Sequence, residues 1–193
     1  MKADQTAPEA TGVSPLSASG EGVGGGVARP LVIVPYDPAW PQRFAEIRAM
    51  LQRTIPGTYH SVEHVGSTAV PGLAAKPVLD LAAGRNPEVP ARDYVAILVT
   101  AGYVHRGESG LPGREFFRKG KLRTHHLHLV EREGPHWRRY LIFRDALRAD
   151  PALRDAYAKL KQHLMHRFPQ DREAYIEGKT AFVQQVLHVQ RGG

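Results

Sequence analysis

Beyond Pro30 the apolar positions change period several times, and each change marks an element. Leu31 to Pro35 reads as a short strand. Trp40, Phe44, Ile47 and Leu51 then recur at helical spacing, which gives one apolar helix face. Asp37 and Pro38 stand where an N-cap and a first-turn proline belong. His60 to Val65 and Val78 to Ala82 are short apolar runs with strand character. Pro90 to Ala101 returns to a helical period and stops at Gly102. Tyr103 to His105, Glu115 to Lys119 and Thr124 to Glu131 read as strands between glycine-bearing turns, with Gly120 in a hairpin position. From Pro135 onward the pattern is helical, broken near Asp150-Pro151 and Phe168-Pro169. This order predicts an α+β fold with its strands mostly in the middle and a helical C-terminal lobe.

Residues 1–30 are dominated by Gly, Ser, Ala and Pro with no apolar period, so a disordered arm is expected there and a single domain over 31–190. Gly20 to Gly26 can be made to spell G-x-G-x-x-G. No strand precedes it, and Ala28-Arg29-Pro30 follows where a helix should begin, so the segment reads as linker and not as a dinucleotide fingerprint. A basic n-region followed by an apolar h-region is missing, which argues against a secretory signal. With no cysteine among 193 residues, disulfides and thiolate metal sites are excluded, and a cytoplasmic location is the expectation. The apolar runs are too short for a bilayer span, so no membrane partner is expected. A formal charge of +7 points to an anionic partner, either nucleic acid or a phosphate-bearing small molecule.

The stretch with the most chemistry runs from His64 to Leu81. Gly66-Ser67 forms a sharp turn leaving one strand, and Asp80 follows on a second strand among Val78, Leu79, Leu81 and Ala82. A carboxylate among aliphatic neighbours is costly unless something pairs with it. A metal ion, a Lys or Arg, or backbone donors can do so, and Mg²⁺ favours one or two carboxylates together with phosphate oxygens. The turn's backbone N–H groups suit an anion, and Ser67 can alternatively act only as a helix N-cap.

The run His64-Val-Gly-Ser-Thr-Ala-Val-Pro-Gly-Leu-Ala-Ala-Lys-Pro-Val-Leu-Asp80 resembles the signature of the GrpB family (UPF0157), within the nucleotidyltransferase superfamily of polymerase-β-like folds. Tyr36 to Trp40, His126 to Val130 and Leu141 to Asp145 support the similarity, which extends from about Leu31 to about Val189. The resemblance implies a nucleotidyltransferase-like mixed sheet and a phosphate site at Gly66, Ser67 and Asp80. The superfamily places a second acid two residues beyond the first, where this chain has Ala82. Two-metal phosphoryl chemistry uses that pair, so its loss puts nucleotidyl transfer in question while leaving nucleotide or phosphate binding intact. The His-x-His strand recurs in the family where the third metal-binding strand lies. His126 and His128 are therefore expected to join Asp80 as catalytic and metal-binding residues, for Mg²⁺, Mn²⁺ or a softer ion. The leading expectation is a nucleotidyltransferase-like enzyme that binds a nucleotide or phosphorylated metabolite with a divalent metal. The alternative is a non-catalytic nucleotide-binding or regulatory module that keeps the pocket without the second carboxylate, and family members joined to dephospho-CoA kinase allow it a role assisting coenzyme A synthesis.

Period two sets His126, His128 and Val130 on one strand face and His125, Leu127 and Leu129 on the other. His126 or His128 can equally be a core histidine. His64 either faces a phosphate or packs. Lys76, held extended by Pro77, is a solvated lysine or a phosphate contact. Arg114, Arg118, Lys119, Lys121 and Arg123 interleave with Phe116 and Phe117. That mixture suits single-strand binding or, as expected here, aromatics in the core and cations in water, with Arg118 the exception reaching the site. Arg144 is a phosphate ligand or an ion-pair partner, and Lys179 a triphosphate contact or a surface lysine. His163 and His166 read as solvent-facing.

Overall fold

The computed structural model describes residues 32–55, 61–120 and 124–190. The expected arm, Leu31, His60, Lys121 and Arg123 lie outside the described residues. Five strands, β1 (Val62–Val65), β2 (Leu79–Arg85), β3 (Tyr103–His105), β4 (Glu115–Lys119) and β5 (His125–Glu131), form one sheet in the order β1-β2-β5-β4-β3. β2 and β5 pair in parallel and the other neighbours are antiparallel. The helices are α1 (Trp40–Thr54), α2 (Ala91–Thr100), α3 (Pro135–Ala149), α4 (Pro151–Arg167) and α5 (Arg172–Val189). The α+β reading therefore holds.

The sheet divides the molecule because alternate side chains leave opposite faces. Leu79, Leu81, Ala83, Leu127, Leu129 and Phe117 leave one face and bury against Trp40 and Leu51 of α1 and Tyr94 and Leu98 of α2. The opposite face carries Val65, Ala82 and Val130 against Trp137 and Tyr140 of α3. Beyond this lies a helical layer, in which Phe143 and Leu147, Tyr157, and Val183, Val186 and Leu187 pack with Val70 and Leu73 of the loop after β1.

Three expectations change in detail. The strand read at Leu31 to Pro35 reduces, among the described residues, to a bridge between Val34 and Ala75, with prolines at 35 and 77 limiting its length. Asp37 does not cap α1. Its carboxylate accepts from Ala39 N at 2.8 Å and its carbonyl from Trp40 N at 3.0 Å, so Pro38 occupies the turn ahead of the helix and the helix starts at Trp40. The cations at β4 are not left in water: Arg114, just ahead of the strand, is fully buried and Arg118 nearly so, alongside Phe116 and Phe117, while Lys119 is half-buried. The C-terminal breaks fall where proline placed them, and Asp150 caps α4 by accepting from Ala152 N and Leu153 N at 2.8 and 3.0 Å. Asp171 caps α5 through Ala174 N at 3.0 Å.

Candidate phosphate site

The register places Val65 opposite Asp80 on β1 and β2, and His126 opposite Asp80 on β2 and β5. The chain leaving β1 thus turns directly over the carboxylate. Gly66 makes that turn with φ +70° and ψ −169°, a region only glycine occupies at low cost. A Cβ there would lie 2.8 Å from Asp80 Oδ2. Ser67 to Ala69 follow as a single 3₁₀ turn. Lys161 of α4 fastens this loop at both ends, donating from Nζ to Ser67 Oγ at 3.2 Å and to the Ala74 carbonyl at 2.5 Å. Arg148 of α3 donates from Nε and Nη2 to the Ala69 carbonyl at 2.9 and 2.7 Å.

A cavity of about 140 Å³ opens between this loop, the sheet face and the helical lobe. Of the expected site residues, Gly66, Ser67, Lys76, Asp80, His126, His128 and Lys179 line it together. Among all the residues lining it, Asp80 is the one acid, and it faces the bases Lys76, Lys161, Arg172 and Lys179. Burial in cationic company lowers the lysines. Lys161 falls to about 7 through burial and then Lys179. Lys76 falls to about 8 through burial and then Arg172, against the opposing pull of Asp80. Lys179, buried and close over the Tyr175 ring at 4.4 Å, also falls to about 8.

Three expected residues are not brought to the cavity. His64 leaves β1 on the Leu81 side of the sheet, where it stacks on Phe44 at 4.9 Å and bonds Thr68 Oγ1 at 2.9 Å. Burial first, then Arg148 and Arg144, holds it down at about 4, so it is neutral at pH 7 and packs instead of meeting a phosphate. Arg144 is an ion-pair partner. It donates to Glu63 Oε2 at 2.7 Å, to the His64 carbonyl at 3.0 Å and to both Asp145 oxygens. Arg118 lies beside His126 across the β4–β5 pair, 5.6 Å over the Phe116 ring. His163 and His166 are exposed as expected.

The carboxylate–imidazole cluster was expected as a metal set. His126 Nδ1–H donates to Asp80 Oδ1 at 3.0 Å, and His128 Nε2 lies 3.5 Å from the same oxygen. Burial raises Asp80, but the bonds from His126 and His128 outweigh it and keep the carboxyl well below the usual range. The far side of His128 decides its state. Arg114 Nη1 donates to His128 Nδ1 at 3.3 Å, and the Tyr140 hydroxyl is 3.4 Å from the same atom. A guanidinium cannot accept, so Nδ1 carries the lone pair and Nε2 the proton that points at Asp80. Ligating histidines show the reverse, donating from the outer nitrogen to an acceptor. Among the described residues no three His, Cys, Asp or Glu side chains are arranged to hold a metal ion. The residues as placed do not fit the expected divalent ion.

Lys161, Arg172, Tyr157 and Tyr140 escaped the sequence reading, as did the place of Arg114 behind His128. Lys161 had a signal: it stands in the apolar stripe Leu153, Tyr157, Leu164 at helical spacing, where a charged residue needs a partner. Arg114 had none, because its partners, the carbonyls of Glu108 and Ser109 and the His128 ring, are gathered by a loop without periodicity.

Residues 30–189 match the family model described as GrpB protein. The chain belongs to the GrpB family. It is similar to UPF0157 protein YqkA of Bacillus subtilis (34% identity over 80% of this chain) and UPF0157 protein PA4798 of Pseudomonas aeruginosa (41% over 80%). It spans only 46% and 65% of the length of those two. It matches the glutamate-rich protein GrpB of Alkalihalophilus pseudofirmus at 30% identity, covering 82% of this chain and 94% of that protein. The crystal structure of the conserved protein GrpB from Enterococcus faecalis superposes with a TM-score of 0.74 at 34% identity, over 82% of this chain and 96% of that one. The mixed sheet with its helical lobe is thus the family's fold. A fainter likeness, 28% identity over 43% of its length, is to a dephospho-CoA kinase of Mycolicibacterium paratuberculosis. Among the described residues no helix is long and apolar enough to cross a membrane.

Proposed function

We propose that this GrpB protein binds a nucleotide or another phosphorylated small molecule in the cavity beneath the Gly66-Ser67 turn, in the manner of nucleotidyltransferase-like proteins. One observation carries the reading: a single carboxylate faces four basic side chains around a glycine turn. Such a surplus of positive charge, with Lys161 and Lys179 buried and Lys76 and Arg172 half-buried, is expensive in the absence of an anion, as the lowered lysines record. Val65, Val78, Phe143, Ile176 and Val183 supply apolar wall beside the cations, the usual mixture for a small-molecule site.

Binding without nucleotidyl transfer is favoured over the enzyme reading by Ala82. It is fully buried against α3 beside Val130 and Trp137, so the second acid is absent and its place is filled by core. The dephospho-CoA kinase likeness suggests which phosphates to try first, and coenzyme A synthesis is the setting it supports. Thermal denaturation with ATP, dephospho-CoA, coenzyme A and pyrophosphate tests the reading. Ligand at about a hundred times its dissociation constant stabilises by ~2.7 kcal/mol, or about 5–10 °C at ~2–4 °C per kcal/mol for a chain of this size. No shift with any phosphate compound would refute it.

A further inference from the structure

We infer that the cavity takes its anion without a metal ion: Lys76, Lys161, Arg172 and Lys179 supply the neutralising charge, and the ligand group seated there is a phosphate monoester or diphosphate. The inference rests on the phosphate-site reading and deepens it.

Three observations point the same way. His128 is held in the wrong tautomer for ligation, because Arg114 and Tyr140 both face its Nδ1 at 3.3 and 3.4 Å while Nε2 faces Asp80. Turning it into a ligand would set an N–H against the Arg114 guanidinium, itself fully buried and fixed on the Glu108 and Ser109 carbonyls at 2.9 Å. Asp80 Oδ1 is already the target of both imidazoles, and its Oδ2 lies under the Gly66 turn, where even a methyl group would approach to 2.8 Å. The bases then settle the sign of the site. A dication entering a space lined by four bases and one acid meets more repulsion than attraction. A phosphoanion meets the reverse.

Charge and size define the ligand group. With Lys161 lowered to about 7, the lining carries between two and three net positive charges near neutral pH, matching a phosphate monoester dianion or a diphosphate. The cavity of about 140 Å³ compares with the ~150 Å³ that admits benzene. A phosphate or pyrophosphate fits within it, and a base and ribose would lie at its mouth.

Calorimetric titration with inorganic pyrophosphate tests this, once with EDTA and once with excess Mg²⁺. The expected result is binding in EDTA that weakens several-fold with Mg²⁺, because the metal removes the negative charge the lysines recognise. Lys179→Met should weaken binding in EDTA by roughly tenfold or more, one lost charge-assisted contact. Mn²⁺ titrated alone should give no heat of binding. Pyrophosphate binding only with Mg²⁺, or a stoichiometric Mn²⁺ site lost in Asp80→Asn, would overturn the metal-free inference and leave the phosphate site standing. No pyrophosphate binding in either buffer, with the wild-type fold intact by circular dichroism, would remove the inference, and the phosphate-site reading would fall with it only if ATP, dephospho-CoA and coenzyme A also fail to bind.

Discussion

At the residue scale, the proposed site is built from groups held in costly surroundings, a turn at positive φ over a carboxylate and lysines in cationic company. Gly66→Ala illustrates the steric part. The substitution puts a Cβ into Asp80 at a φ of +70°, so backbone strain of about 1–3 kcal/mol adds to the clash. Urea unfolding should show the loss, and pyrophosphate binding should fall with it as the turn tilts off the carboxylate. Lys161 illustrates the electrostatic part. A lysine whose folded value is about 7 binds fewer protons folded than unfolded between pH 7 and about 10.4. Stability contributed by its deprotonation therefore rises with pH across that window. Lys76 and Lys179, at about 8, act in the same sense. Above about pH 10 the trend reverses, because burial raises Tyr103, Tyr157 and Tyr175 and only the unfolded chain ionises them freely. Urea midpoints should climb from pH 7 to 9.5 in the wild type and climb less in Lys161→Met. Equal slopes in the two would show that Lys161 keeps its proton in the fold.

At the element scale, α4 and α5 hold the lysines over the sheet. Gly178 lets α5 approach α4, since a Cβ there would meet Leu164 Cδ1 and Cδ2, and the Asp150 and Asp171 caps fix where each helix starts. Asp150→Ala should cost about 1 kcal/mol, a melting shift of ~2–4 °C, read by calorimetry. Because Lys161 sits three turns into α4, well beyond the fraying end, pyrophosphate affinity should change less than twofold. A large loss of affinity would mean that the cap sets the register of the whole helix against the loop.

At the scale of the whole molecule, the sheet separates an apolar core under α1 and α2 from a polar cavity under the helical lobe. The charge of +7 is partly spent inside, on Arg114, Arg118, Arg144, Lys161 and Lys179, all buried. Among the described cations of β4, little is left facing water for a nucleic acid. Pyrophosphate affinity should therefore fall by less than about tenfold between 50 and 200 mM salt, unlike the 10³–10⁵ loss of a surface making six to ten phosphate contacts. Single-stranded RNA, followed by anisotropy, should not compete with pyrophosphate; steep salt dependence with competition would restore the basic surface as the partner site.

Local patterns sufficed for the elements. Proline and aspartate announced the breaks before α4 and α5, and period two put His126 and His128 on one strand face. The turn at Gly66-Ser67 and the half-buried Asp80 were legible because glycine at a strand end and an acid among aliphatics are each costly without a reason. Partners far apart in sequence were not legible. Whether His64 met phosphate or Phe44 depended on which sheet face β1 turned inward, and Arg144 on a Glu63 eighty-one residues away. Lys161 joined the site only through the packing of α4 on the loop. The tautomer of His128, on which the metal-free inference rests, depends on Arg114, which an irregular loop delivers behind the imidazole. Periodicity is a property of neighbours along the chain and is written in the sequence. The charge state of a buried group is set by whatever the fold packs around it, and only the tertiary structure decides that.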